Sequence, residues 1–123
     1  MMIRKRPPVD SLLPLSAPVF HILIALGGDA MHGYAVMQAI DERSNGQVRL
    51  LPGTLYSTIK KMLALQLLEE CDAPTGADSE DSRRRYYRAT AFGREVCTAE
   101  TERLSLLVRL AQGRALAGGR GRR

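Results

Sequence analysis

Basic side chains are concentrated at two places within this 123-residue sequence. Lys60 and Lys61 lie in a segment with helical periodicity, and four arginines occur between Arg83 and Arg88. Guanidinium and ammonium groups can bind phosphate oxygens, and arginine also contacts carboxylates and base edges in a bidentate manner. An arginine-rich strand is often only a solvated face, so the cluster by itself leaves both interpretations open. The net charge of +5 favours a polyanionic partner, although the chain ends contribute part of it.

The histidines and cysteines of this sequence lack the spacing that catalysis or metal binding requires. His21 and His32 lie in segments of helical pattern, and neither belongs to a recognisable nucleophile–base arrangement. Cys71 and Cys97 have no Cys-x-x-Cys partner, and neither histidine has metal-ligand spacing. We therefore predict no enzyme activity, no metal and no cofactor, and we interpret both cysteines as reduced packing residues.

The composition is that of an ordinary globular domain, with 45% hydrophobic and 25% charged residues. The length fits a single domain. No apolar run reaches the ~18 residues of a membrane span, and the first ten residues lack the apolar core of a signal peptide. We expect a cytoplasmic protein with no membrane partner.

Three helices are predicted in the first half of the chain. The first follows Ser16, which can cap free amides, and ends at Gly27. The second starts near His32 and ends near Gly46, after which residues 48–50 could form a short strand. The third runs from Pro52 to about Leu65.

The third helix has two faces of different chemistry. Its apolar side contains Leu55, Ile59 and Met62. The opposite side is small, hydroxylated and basic, as expected of a helix that enters a major groove about 12 Å wide. Its candidate contact residues are Gly53, Ser57, Lys60 and Lys61, with Thr54 and Tyr56 in the first turn, where hydroxyls and free amides can bind phosphate.

Residues 67–71 and 84–89 are predicted to be two strands of a hairpin with a long polar tip. Arg83 and Arg84, at the base of the tip, could hold a DNA backbone or enter a minor groove, whereas Arg88 is the candidate for a structural role. The tip also carries carboxylates that would repel phosphate unless they are paired.

The last helix, from about Ala91 to Gln112, has an apolar stripe wider than one side of a small domain can cover. Because the first helix is also apolar on all sides, we expect the two to meet their copies across a two-fold axis. Packing along its own domain is the alternative, and Arg103 interrupts a coiled-coil seam. The predicted interface comprises Val19, Phe20, Leu23, Val96, Leu104, Leu107 and Leu110.

These elements define a mainly α fold with a small β-hairpin wing, namely a winged helix-turn-helix with an added dimerisation helix. We expect a basic, flexible arm over 1–14, the DNA-binding domain over 15–90, the dimerisation helix over 91–112 and a disordered Gly/Arg-rich tail over 113–123. The two tails are either solvated ends or non-specific phosphate contacts.

Three motifs in this order resemble the PadR family: His32-Gly33-Tyr34, the segment from Leu50 to Tyr56, and the segment from Arg83 to Arg94. The resemblance spans about Leu15 to Leu110. Members of that family are winged-helix regulators, mostly repressors, that bind paired operator half-sites of double-stranded DNA as homodimers. They often release DNA when a small molecule binds. The resemblance implies the same behaviour for this chain.

By motif, Tyr34, Thr54, Tyr56, Ser57 and Lys60 match positions at which family members approach DNA, and the arginines near Arg84 match the wing. The single closing helix resembles the short branch of the family. Some members stack planar ligands between tryptophans, and this chain has no Trp, so that mode is not carried over. The effector, the operator and the regulated genes are left open.

A rival interpretation is a winged helix that has become a protein-interaction module, its basic face merely keeping it soluble. Duplex binding that weakens steeply as salt rises would separate the two, because a protein-only module should ignore duplex DNA.

Overall fold

The computed structural model describes residues 6–77 and 83–116, with side chains described up to Arg114. The chain is mainly helical, with one small antiparallel sheet, in agreement with the predicted fold class. The elements are α1 (Ala17–Leu26), β1 (Met31–His32), α2 (Gly33–Arg43), α3 (Pro52–Ala64), β2 (Leu68–Cys71), β3 (Tyr86–Ala89) and α4 (Ala91–Ala111). A 3₁₀-helix (Val9–Leu12) precedes α1, and a π-helical turn (Gln112–Leu116) continues α4.

The sheet has the strand order β1-β3-β2. The hairpin of β2 and β3 was predicted, with strand ends within two residues of those observed. In addition, β1 pairs with β3 through Met31 opposite Tyr87 and His32 opposite Tyr86. A strand of two residues is too short to show any hydrophobic period, so the sequence could not indicate it. Tyr86 and Tyr87 on β3 are both buried, although successive side chains of a strand point to opposite faces of the sheet.

Side chains cap α1, α2 and α4 at their first turns. Ser16 Oγ accepts a hydrogen bond from the Val19 amide, and Thr90 Oγ1 accepts one from the Gly93 amide. Thr90 also donates its hydroxyl proton to the Gln66 carbonyl at 2.6 Å, which ties the start of α4 to the turn after α3. Each cap satisfies an amide that the helix itself leaves without a partner.

The core lies where α1, α2, α3, the sheet and the first half of α4 meet. Its most deeply buried side chains include Ile22, Leu26, Leu55, Met62 and Val96. The apolar face predicted for α3 is the face that packs here. The apolar character of α1 on all sides does not bury it on all sides of the protomer, since Ile24 is exposed on its outer side.

Two local predictions are corrected by the structure. Residues 48–50 form a loop rather than a strand, because the Val48 amide donates to Ser44 Oγ at 2.9 Å instead of to a neighbouring strand. Residues 6–14 do not form a free arm. Val9, Leu12 and Leu13 pack against the core, and the Arg6 guanidinium lies 4.8 Å from the centre of the Phe92 ring. Residues 1–5 and most of the expected tail, 117–123, lie outside the described residues.

Within the described residues, none of the helices is both long enough and apolar enough to cross a membrane.

Candidate nucleic-acid interface

The outer face of α3 is the centre of the candidate interface. Leu55, Ile59 and Met62 fix the helix to the core and are almost completely buried. The structure places every α3 residue of the predicted site on the opposite, exposed side: Gly53, Thr54, Tyr56, Ser57, Lys60 and Lys61. The helical projection therefore located this face correctly.

The first turn of α3 is open to an anion. Pro52 occupies the first helical position, and the preceding Leu51 provides no side-chain hydrogen bond to the free amides of the turn. These amides, together with the helix dipole, give the N-terminus a partial positive charge. A phosphate group bound here would accept hydrogen bonds directly from the backbone.

Tyr56 is held at the edge of this face by the backbone of α2. Its side chain is 47% exposed, and its ring lies directly against Gly33. A Cβ added at Gly33 would approach Tyr56 Oη to 2.5 Å, a distance that real Cβ atoms do not show. The glycine therefore gives the tyrosine its place, and α2 orients the start of α3 through this contact.

A second contact joins α2 to the wing. The Arg84 guanidinium lies 5.9 Å from the centre of the Tyr34 ring, and its NH1 atom is 3.4 Å from His32 Nδ1. The same Nδ1 accepts the Ala35 amide at 3.1 Å and so caps α2. Because Nδ1 accepts this bond, the geometry selects the neutral tautomer with its proton on Nε2. Arg84 is thus positioned beside Tyr34, whose ring is half-exposed.

His32 and Gly33 were not predicted as site residues, although they form part of the motif on which the family resemblance rests. With Tyr34, Tyr56 and Arg84 they line a cleft of about 340 Å³ between α2 and the wing. Their roles depend on contacts with α3 and β3, which a local pattern does not encode.

The wing arginines divide into two groups. Arg85, immediately before β3, lies 3.6 Å from Glu70, and Arg88 of β3 donates to Glu69 Oε2 on β2 at 2.6 Å. The hydrogen bond to Glu69 raises the pKa of Arg88 above its ordinary value. Arg88, the candidate for a structural role, thus has a carboxylate partner on β2. Arg83 and Arg84 are exposed at the base of the tip. Residues 78–82, which include Asp78, Glu80 and Asp81, lie outside the described residues.

The residues predicted for a dimer interface fall into two sets. Val19, Leu23 and Val96 belong to the core of the protomer itself and offer almost no surface to a partner, so their assignment is corrected. These positions face inward because the first two turns of α4 pack against α1. The other residues of the set lie outside the core: Phe20 and Leu104 are half-buried, and Leu107 and Leu110 are about half exposed.

The remaining reactive side chains have ordinary surroundings. Burial raises the pKa of the Cys71 and Cys97 thiols, so that both are protonated at neutral pH, in keeping with a packing role. Among the residues that the structure describes, no three histidine, cysteine or acidic side chains come together as a metal site.

The fold is a winged helix-turn-helix. Helices α1, α2 and α3 pack together, and the β2–β3 hairpin forms a wing beside the exposed basic face of α3. A profile of the transcriptional regulator PadR-like family matches residues 22–99. The chain therefore belongs to the PadR-like family of transcriptional regulators. The resemblance seen in the three sequence motifs is confirmed.

Two relatives found by sequence are an uncharacterised 37.1 kDa protein in transposon Tn4556 of Streptomyces fradiae and an uncharacterised protein X of Lysinibacillus sphaericus. The first is 33% identical over 86 residues, which are 70% of this chain and 22% of the relative. The second is 30% identical over 63 residues, 51% of this chain and 55% of the relative. The chain thus corresponds to about a fifth of the first relative and about half of the second.

Among solved structures, the chain is similar to a PadR family transcription regulator from Clostridium difficile, with a TM-score of 0.66 and 18% identity over 80% of this chain and 97% of that one. It is also similar to Bacillus subtilis PadR in complex with operator DNA, with a TM-score of 0.58 and 15% identity over 70% of this chain and 46% of that one. These similarities establish the shared winged-helix fold.

Proposed function

We propose that this protein binds double-stranded DNA sequence-specifically, with α3 in the major groove and the base of the wing on the adjacent backbone or minor groove. The observation that carries the proposal is that the basic face of α3 is exposed, and that Tyr56 at its first turn lines one cleft with Tyr34 and Arg84. Lys60 and Lys61 provide charge, and the small side chains of Gly53 and Ser57 allow the helix backbone close to the bases.

Fewer of the wing arginines are available to DNA than the number in the sequence suggests. Arg85 and Arg88 have carboxylate partners on β2, so they add little net charge near DNA. Arg83 and Arg84 are exposed, and Arg84 lines one cleft with Tyr34 and Tyr56, so these two are the arginines assigned to DNA. The similarity in fold to a protein that was solved with its operator supports this docking mode.

The protein acts, in this proposal, as a homodimer joined through the second half of α4. Leu106, Leu107, Val108 and Leu110 are each about half exposed, on a helix that has left its own core. A soluble monomer rarely exposes such a continuous apolar surface. A two-fold axis along α4 would bury these residues and present two α3 helices to successive major grooves, about 34 Å apart.

Repression, and release of DNA by a small molecule, are the finer parts of the family expectation. A groove of about 430 Å³ lies between α1 and α4, lined by Phe20, Leu104 and Val108 with the polar groups of Thr101, Ser105 and Arg109. Its volume falls within the range of small-molecule sites. A ligand bound there would act on the proposed dimer interface, and through it on the separation of the two α3 helices.

The proposal is tested by gel-shift titration of the purified protein against duplex from upstream of its own gene. Unrelated duplex serves as competitor, and the salt concentration is varied. Specific binding should weaken with salt, with a log–log slope of about 0.9 per phosphate contacted. A protein that binds no duplex in preference to the competitor at any salt concentration would refute the proposal and favour a protein-interaction module.

A further inference from the structure

A buried carboxylate lies at the point where α4 leaves the domain. Glu100 is only 2% exposed, yet it is charged, and it is the last buried residue of α4 among those described. A buried carboxylate is costly unless its charge and lone pairs are satisfied. Its partners therefore indicate what the side chain does.

Glu100 connects three parts of the chain. Its Oε1 accepts a hydrogen bond from Arg103 Nε at 2.6 Å, and its Oε2 accepts one from Arg103 NH2 at 3.1 Å. Oε2 also accepts the backbone amide of Leu15 at 3.0 Å, immediately before the cap of α1. The hydrogen bonds from Arg103 lead the effects that lower the pKa of Glu100, so the carboxylate is charged at neutral pH. We call Glu100, Arg103 and the Leu15 amide the carboxylate clamp.

A second anchor lies two helical turns earlier in α4. Gly93 packs so closely on the Leu67 backbone that an added Cβ would overlap the Leu67 carbonyl oxygen. The N-terminal segment runs alongside this part of α4, from Arg6 over the Phe92 ring to Leu15 at Glu100. After Glu100 only Arg103 and Leu104 remain half-buried, and the rest of the described helix is exposed.

Two anchors fix the direction of a rod. Gly93 and Glu100 are about 10 Å apart along the axis, and Ala111 lies about 16 Å beyond Glu100. A shift of about 1 Å at Glu100, with Gly93 as the pivot, moves the end of α4 by about 2.5 Å. Across a two-fold axis the displacements of both protomers combine to at most about 5 Å, which exceeds the 3.4 Å rise of one base pair.

We propose that Glu100 is a positioning residue for DNA recognition: the carboxylate clamp sets the direction in which α4 leaves the winged domain, and so sets the spacing of the two operator half-sites. The inference rests on the proposed function, because only a dimer that binds DNA converts the helix direction into a spacing. It differs from a purely stabilising role, which would alter the stability of the fold but leave the preferred spacing unchanged.

Four variants separate these roles. Glu100→Leu removes the acceptor for the Leu15 amide and for Arg103, whereas Glu100→Gln keeps an acceptor in a side chain of the same shape. Arg103→Met opens the clamp from its half-exposed side, without removing a residue of the core. Glu95→Leu is the matched control, because Glu95 is an exposed carboxylate between the two anchors.

The helix direction is measured within one chain, with spin labels on cysteines at the exposed positions 42 and 112. Cys71 and Cys97 are replaced by Ser and Ala, and labelled chains are diluted with unlabelled ones so that only intrachain distances appear. Glu100→Leu and Arg103→Met should shift the distance by about 2 Å or more, or broaden its distribution. Glu100→Gln should stay nearer to the wild-type distance, and Glu95→Leu should match it. Wild-type distances in both Glu100→Leu and Arg103→Met would overturn the proposal.

The DNA consequence is measured by selecting duplexes from a randomised library with each full-length variant. The wild type and Glu95→Leu should select the same half-site spacing, while the clamp variants should select a spacing altered by one base pair or several spacings at once. An unchanged single spacing in the clamp variants, bound only more weakly, would overturn the role in spacing. If the wild type selects no duplex, the proposed function fails, and the intrachain distance still decides whether the clamp directs α4.

Discussion

The contact between Gly33 and Tyr56 allows a prediction that separates stability from DNA binding. In Gly33→Ala, the new Cβ would lie 2.5 Å from Tyr56 Oη and 2.6 Å from Cε1, so the ring must retreat by about 1 Å to reach an ordinary contact. Because the ring is half-exposed, it can move outward, and the strain stays near the lower end of the ~1–3 kcal/mol typical of overpacking.

Two effects of opposite sign then determine the stability of Gly33→Ala. Alanine in the first turn of α2 favours the helix by about 0.5–1 kcal/mol relative to glycine, which offsets most of the strain. We expect the free energy of unfolding to stay within about 1 kcal/mol of wild type. A displaced Tyr56 loses its proposed phosphate contact, worth about 1.5 kcal/mol, so the DNA dissociation constant should rise about tenfold.

The assay is a double-mutant cycle of Gly33→Ala and Tyr56→Ala, followed by urea unfolding and by fluorescence anisotropy with a labelled duplex. With the ring removed, Gly33→Ala should become stabilising by about 0.5–1 kcal/mol and should cause no further loss of affinity. Gly28→Ala is the control, because a Cβ at Gly28 meets nothing within 4 Å. Wild-type affinity in Gly33→Ala, or strictly additive effects in the cycle, would refute the reasoning.

Three further predictions concern the helix face, the dimer and the buried carboxylate. Lys60→Ala should weaken duplex binding about tenfold and lower the salt slope by about 1 without changing the thermal midpoint; unchanged affinity would remove Lys60 from the site. Leu107→Glu should produce a monomer in sedimentation analysis, since it places a charge in the proposed apolar interface, and a mutant that stays dimeric would contradict that interface. Because folding lowers the pKa of Glu100 from its ordinary value of 4.5, its charged form stabilises the fold at pH values above 4.5. This contribution is lost as the pH falls through the lower folded-state value, so Glu100→Gln should flatten the pH dependence of unfolding below about pH 5, and an unaltered acid profile would argue against it.

The sequence by itself determined the parts of this protein that follow from local patterns. The faces of α3 were predicted correctly because residues three and four apart lie on one side of a helix, whatever the helix packs against. Ser16 marked the start of α1 because a cap acts on an amide only three residues away. The hairpin and the family were likewise accessible, since both rest on short stretches of sequence.

Only the tertiary structure decided how these parts are joined. The contact of His32 with Arg84 spans 52 residues, and that of Leu15 with Glu100 spans 85, so neither leaves a local pattern. The incorrect assignment of Val96 to a dimer interface has the same cause, because its contacts in the core are also made with distant parts of the chain. Periodicity shows which apolar side chains share one face of a helix. Whether the protomer's own core or another surface covers that face depends on the tertiary packing.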